Sequence, residues 1–135
     1  MNNFRNAAKA FIVRDGKLFM MKRRANDVHK PGKLDIPGGR LELGEDPFQG
    51  LKREAREELN AGVEIIMPIA VKHFVREDSQ RITLTMYWCN LLNEDIKLSE
   101  EHTEYKWMDI EKDLDDIPDF FHEAINNYKK YIKHD

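Results

Sequence analysis

The chain has 135 residues, 41% hydrophobic and 35% charged, which suits a single domain over residues 1–135 with a real core and excludes a disordered chain. Lys and Arg number 22 against 25 Asp and Glu, a net charge of −3 that argues against a non-specific grip on nucleic acid or on an anionic membrane. Cys89 is the one cysteine, so an internal disulfide and a cysteine-rich metal site are both excluded. Arg5 and Lys9 break the N-terminal apolar stretch, and no window approaches the length of a bilayer span. A soluble, cytoplasmic protein without a membrane partner is expected.

Residues 7–13 and 17–23 are apolar-biased runs separated by Asp15-Gly16, a strong signal for a type I′ hairpin turn. Residues 25–33 are polar with Pro and Gly and read as a loop. Leu34 to Ile36 reads as a short strand, stopped by a tight turn at Pro37-Gly38-Gly39. Residues 46–60 predict a helix, with Asp46 as N-cap and Pro47 at its first position. Its buried stripe is expected to be Phe48, Leu51, Ala55 and Leu59. Residues 63–75 and 81–92 are two further strands. In the second, Ile82, Leu84, Met86 and Trp88 face one way and Thr83, Thr85, Tyr87 and Cys89 the other. A short strand is expected over 105–108 and a closing helix from about Pro118 to Ile132. Strands outnumber helices and the helices lie far apart, which predicts an α+β fold with helices packed on a mixed, partly antiparallel sheet. No repeat or linker divides the chain.

The chemistry concentrates in one helix. Glu54, Glu57 and Glu58 stand at i, i+3 and i+4, so their carboxylates are neighbours on an arc beside the buried stripe. Like charges at that spacing cost a few tenths of a kcal/mol per pair. A hard divalent cation, which prefers oxygen ligands, removes the cost. Taken alone, REAREE reads equally as a solvated acidic face. The context points to a site: Gly38-Gly39 precede the helix, and Glu45 is placed to pair with Arg53, tying the loop to the helix and leaving the other glutamates free. Gly50 lies on the same arc, where a small residue gives a ligand room to approach the backbone.

Residues 39–62 resemble the Nudix box, G-x5-E-x7-R-E-U-x-E-E-x-G-U. Gly39, Glu45, Arg53, Glu54, Glu57 and Glu58 match in type and spacing; Asn60 replaces the late Gly, and Ala55 and Ala61 occupy the bulky aliphatic positions. Asn tolerates the left-handed conformation and still ends a helix. The resemblance to the Nudix (MutT-like) hydrolases implies an α/β/α sandwich and Mg²⁺- or Mn²⁺-dependent hydrolysis of a diphosphate bond. The substrate implied is a nucleoside diphosphate-linked one: a nucleoside triphosphate, an oxidised one included, or ADP-ribose or another nucleotide sugar.

The resemblance also implies roles. Glu54, Glu57 and Glu58 are metal ligands with the Gly39 carbonyl as an extra, and Glu45 and Gly38 support them. Arg53, Glu54 and Glu57 are catalytic, together with a general base from the late loop LSEEHTEYKW, where Glu104 is the first choice beside Glu100 and Glu101. Glu42 is a further candidate to face the metal. Arg23, Arg24 and Arg40 are candidates for substrate phosphate, each weighed against a plain surface role; strand alternation lets only one of Arg23 and Arg24 face the site. His29, His73 and His102 read as structural or surface residues, and Phe74, Tyr87 and Trp88 as core packing before base stacking. Alternatives are a catalytically silent Nudix-like nucleotide sensor and an RNA-end hydrolase, the latter opposed by the lack of a Lys/Arg-rich run. A homodimer through apolar sheet edges is also open.

Overall fold

A computed structural model describes residues 3–26, 32–93 and 95–133. Its first hairpin joins β1 (Phe4–Arg14) to β2 (Lys17–Arg23) through Asp15 at φ 53° and Gly16 at φ 75°, the two positive angles a type I′ turn needs. Short β3 (Leu34–Asp35) and β4 (Gly38–Arg40) follow, then helix α1 (Pro47–Leu59), β5 (Val63–Val75), β6 (Arg81–Leu91), β7 (His102–Asp109) and helix α2 (His122–Ile132). The sheet runs β3-β2-β1-β6-β5, with β4 also on β1 and β7 also on β2. Among the described strands only β1 and β6 run parallel, from Phe4 opposite Arg81 to Ile12 opposite Cys89. The mixed α+β fold is therefore the one expected.

Both faces of β1 are buried, which explains its unbroken apolar run from Ala10 to Val13. One face carries Ala7, Phe11 and Val13 into a core with Ile82, Leu84 and Met86, closed by Phe121, Ala124 and Ile125. The other carries Ala8, Ala10 and Ile12 against Leu51, Ala55 and Leu59 of α1. Each fully buried Leu contributes about 1.5–3 kcal/mol by leaving water. Trp88 packs edge-on against Tyr128, and Tyr87 is buried on the α1 side.

Four local expectations are corrected. Pro37-Gly38-Gly39 is not a free turn: Gly38–Arg40 form β4 against Ala7–Lys9 of β1, and Pro37 O accepts from the Ala10 N–H at 2.8 Å. Phe48 is about half exposed and rests at the rim on Tyr87, so the buried stripe of α1 begins at Leu51. Gly50 makes room for Leu41 and Glu45 of its own chain, whose side chains would meet an added Cβ at 2.4 and 2.9 Å. The C-terminal helix starts at His122 because Asp119–Phe121 form a 3₁₀ turn that places Phe120 on Phe74 and Phe121 in the core.

Gly38 lies close against β1. Its φ is 124°, and an added Cβ would lie 2.2 Å from the Ala8 carbonyl oxygen. Gly38→Ala is expected to cost at least about 3 kcal/mol, from a forbidden backbone angle and a clash with backbone that cannot rotate away. Urea denaturation would measure it; a loss below about 1 kcal/mol would mean that β4 shifts freely.

Candidate active site

Helix α1 is aimed by its ends. The Asp46 side chain accepts from the Phe48 N–H at 2.8 Å, and Asn60, at φ 54°, ends the helix in the left-handed conformation. Within it, Arg53 grips Glu45 with two parallel hydrogen bonds, Nε to Oε2 at 2.8 Å and Nη2 to Oε1 at 2.9 Å. That grip, with the Glu42 N–H donating to Glu45 Oε1, holds the Glu45 carboxyl down at about 2. The expected Glu45–Arg53 tie is thus present, but it does not leave the other acids free. Arg53 Nη1 also reaches both oxygens of Glu57 at 3.2 Å and Glu54 Oε1 at 3.4 Å.

The three glutamates face different surroundings. Glu57 is largely exposed. Glu54 lies beside Gly39, and burial, opposed by Arg53, raises its pKa. Glu58 is buried and takes the Gly38 N–H on Oε1 at 2.6 Å. Loss of solvent pushes its carboxyl up to about 8, against the pull of Lys9 and that hydrogen bond.

These acids line a pocket of about 590 Å³. Arg5, Lys9, Arg23, Arg40 and Arg76 line it too, with Asp35 and Glu77 and the apolar Ala7, Phe74, Ile82 and Leu84. Arg40 bonds Gln80 at 2.7 Å, and desolvation, then Arg76 and Arg5, lower its pKa. Lys9 and Asp35 form a buried ion pair at 3.0 Å; Lys9 Nζ also donates to Ile36 O at 3.2 Å, and Arg23 reaches Asp35 Oδ2 at 3.4 Å.

The segment before β7 docks on the same helix. The Ser99 N–H donates to Glu58 O at 3.0 Å, the His102 N–H to Ser99 O at 3.3 Å, and the Arg24 N–H to Glu101 O at 3.0 Å. Glu101 thereby joins the pocket wall. His102 is 5% exposed and turned inward, with its pKa lowered by burial and then by Arg23. One donor atom from each of Glu58, Glu101 and His102 lies within 4.8 Å of the others.

Of the residues singled out from sequence, the pocket gathers Gly38, Gly39, Glu54, Glu57, Glu58, Arg23 and Arg40, with Arg53 and Glu45 bracing them. Glu104 does not arrive: it stands on β7 opposite Lys22, 3.9 Å from Lys106, because strand pairing from His102 onward carries it past the pocket. Arg24 is not among the described pocket-lining residues, and Glu42 lines a smaller cleft with Leu43 and Gly44. His73 sits exposed beside Thr83, and His29 lies outside the described residues. Lys9 and Asp35 were missed. Their signal was a charge inside an apolar run, Lys9 in AAKAFIV above all.

Several carboxylates from one helix and one loop, in one pocket with several cations, make a donor set for a hard divalent ion beside groups that bind anions. The NUDIX domain model matches residues 3–126. The chain belongs to the NUDIX family. It is 40% identical over 52 residues to the 8-oxo-dGTP diphosphatase of Escherichia coli K12, a match spanning 38% of this chain and only 40% of that protein. It is 29% identical over 109 residues to the nucleoside triphosphatase NudI of Salmonella agona, spanning 72% of this chain and 76% of that one. The crystal structure of the MutT protein from Methanosarcina mazei Go1 superposes with a TM-score of 0.84 at 24% identity, covering 98% and 97% of the two chains, and shows the same fold. As a Nudix hydrolase this chain is an enzyme. No helix of the described residues is long and apolar enough to cross a membrane.

Proposed function

We propose that this single Nudix domain is a divalent-cation-dependent pyrophosphohydrolase of a nucleoside triphosphate. The observation that carries the reading is one pocket lined by Glu54, Glu57, Glu58 and Glu101 together with the cations Arg23, Arg40 and Lys9. The relatives named as an 8-oxo-dGTP diphosphatase and a nucleoside triphosphatase favour a triphosphate, oxidised or not, over a nucleotide sugar.

Glu54, Glu57 and Glu58 are the residues to hold Mg²⁺ or Mn²⁺, with the Gly39 carbonyl as an extra ligand. Such an ion neutralises phosphate charge and makes bound water a better nucleophile. Arg23 and Arg40 hold the phosphate chain by charge-assisted hydrogen bonds. Asp35 fixes Arg23 so that less freedom is lost on binding. Arg53 keeps Glu54 and Glu57 in one geometry through its shared guanidinium. Glu101, which lines the pocket as Glu104 does not, adds a fourth carboxylate to this donor set. The apolar part of the lining, Ala7, Phe74, Ile82 and Leu84, suits a nucleobase face.

The test is a Mg²⁺-dependent hydrolysis panel of canonical dNTPs, 8-oxo-dGTP, ADP-ribose and a dinucleoside polyphosphate, run beside Glu57→Gln. Nucleoside monophosphate and pyrophosphate from a triphosphate, by the wild type alone, is the expected result. AMP with a sugar phosphate from ADP-ribose would move the substrate class. Nucleotide binding without any hydrolysis would make the chain a sensor module.

A further inference from the structure

His102 is the buried histidine that the Nudix box does not explain. It is 5% exposed, yet neither ring nitrogen finds a hydrogen-bond partner among the described residues. Leaving polar atoms buried and unpaired is costly. The ring nevertheless brings a nitrogen within 4.8 Å of carboxylate oxygens of both Glu58 and Glu101.

We propose that His102 is a ligand of the divalent ion together with Glu58 and Glu101, and that this imidazole makes the site select a transition-metal ion such as Mn²⁺ or Co²⁺ over Mg²⁺. The inference rests on the reading of this pocket as a Nudix metal site and deepens it. Imidazole nitrogen suits first-row transition metals, whereas Mg²⁺ is held almost entirely by oxygen. One nitrogen among carboxylates therefore tilts the choice of ion without changing the chemistry at phosphate.

Backbone hydrogen bonds hold the three residues in place. Glu58 is fixed through the Gly38 N–H, and its carbonyl accepts the Ser99 N–H. The Ser99 carbonyl in turn takes the His102 N–H, and Ser99 Oγ takes the Glu101 N–H at 3.4 Å. The Glu101 carbonyl is anchored by the Arg24 N–H. A cluster tied together this way pays little to reorganise around an ion. Ser99 is thus a positioning residue, linking the helix that carries Glu58 to the turn that carries Glu101 and His102.

The experiment loads the full chain with Mn²⁺ alone, without nucleotide, and records pulsed electron paramagnetic resonance. A nitrogen hyperfine coupling of imidazole type is expected, altered by isotopic labelling of the histidine nitrogens and lost in His102→Gln. Calorimetry with Co²⁺ and with Mg²⁺ gives the second readout. The Co²⁺-to-Mg²⁺ affinity ratio should fall about tenfold or more in His102→Gln, whereas Glu57→Gln should weaken both ions together.

Mn²⁺ bound to the wild type without nitrogen coupling overturns the proposal, whether or not the variant folds. With hydrolysis intact, that result leaves the pyrophosphohydrolase reading standing. A wild type that binds none of these ions overturns both.

Discussion

Glu57→Gln should lower turnover by about 10²–10³-fold or more at saturating Mg²⁺, with the fold unchanged. The side chain of Glu57 is 58% exposed, and its contacts are the two 3.2 Å bonds from Arg53. Gln has the same shape, so no core packing is lost. An exposed ion pair contributes no more than about 1 kcal/mol, and removing one of three crowded carboxylates returns a few tenths. Stability therefore hardly moves, while a metal-binding oxygen loses its charge. Steady-state kinetics with a melting curve would check this. Turnover within about threefold of wild type would remove Glu57 from the metal set; a large drop in melting temperature would make it structural.

Glu58→Gln should be equally inactive yet more stable than wild type in metal-free alkaline buffer. Burial raises the Glu58 pKa from the ordinary 4.5 to about 8, so the folded state holds its proton more tightly than the unfolded chain does. Below about pH 4.5 both states are protonated and the native state bears no penalty. As pH rises towards about 8, the unfolded state ionises freely and the folded state resists, so stability is lost through that window and the loss is complete above it. At about 1.4 kcal/mol per pH unit, the full effect is on the order of 5 kcal/mol.

Gln at this position has no charge to desolvate, and its amide oxygen still accepts the Gly38 N–H. Urea denaturation with a chelator at pH 5 and pH 9 would show the wild type weakening and the variant holding level. Adding Mn²⁺ at pH 9 should restore the wild type alone, because an ion that binds the folded state stabilises it by mass action. Parallel pH curves for the two proteins would mean that Glu58 ionises freely in the fold.

Helix α1 and its acids were readable from the chain because every signal was local. Asp46-Pro47 starts the helix, Asn60 ends it, and Glu45 to Glu58 lie within a few turns, where helical geometry alone brings side chains together. The Asp15-Gly16 turn and the two faces of β6 were readable for the same reason, since turn chemistry and a period of two need no distant partner.

Only the packed structure decided what depends on pairing between remote strands. Gly38 became a strand residue because β1 runs alongside it, and Glu104 left the pocket because β7 pairs with β2 from His102 onward. Lys9 and Asp35 stand 26 residues apart and meet through a buried bond that neither neighbourhood announces. His102, lone and unremarkable in sequence, reached Glu58 because Ser99 hangs its turn on the carbonyl of that glutamate. Helical spacing gathers charges from one element without help. Gathering them from several elements takes the register of a sheet, and register is set by the burial of both its faces together.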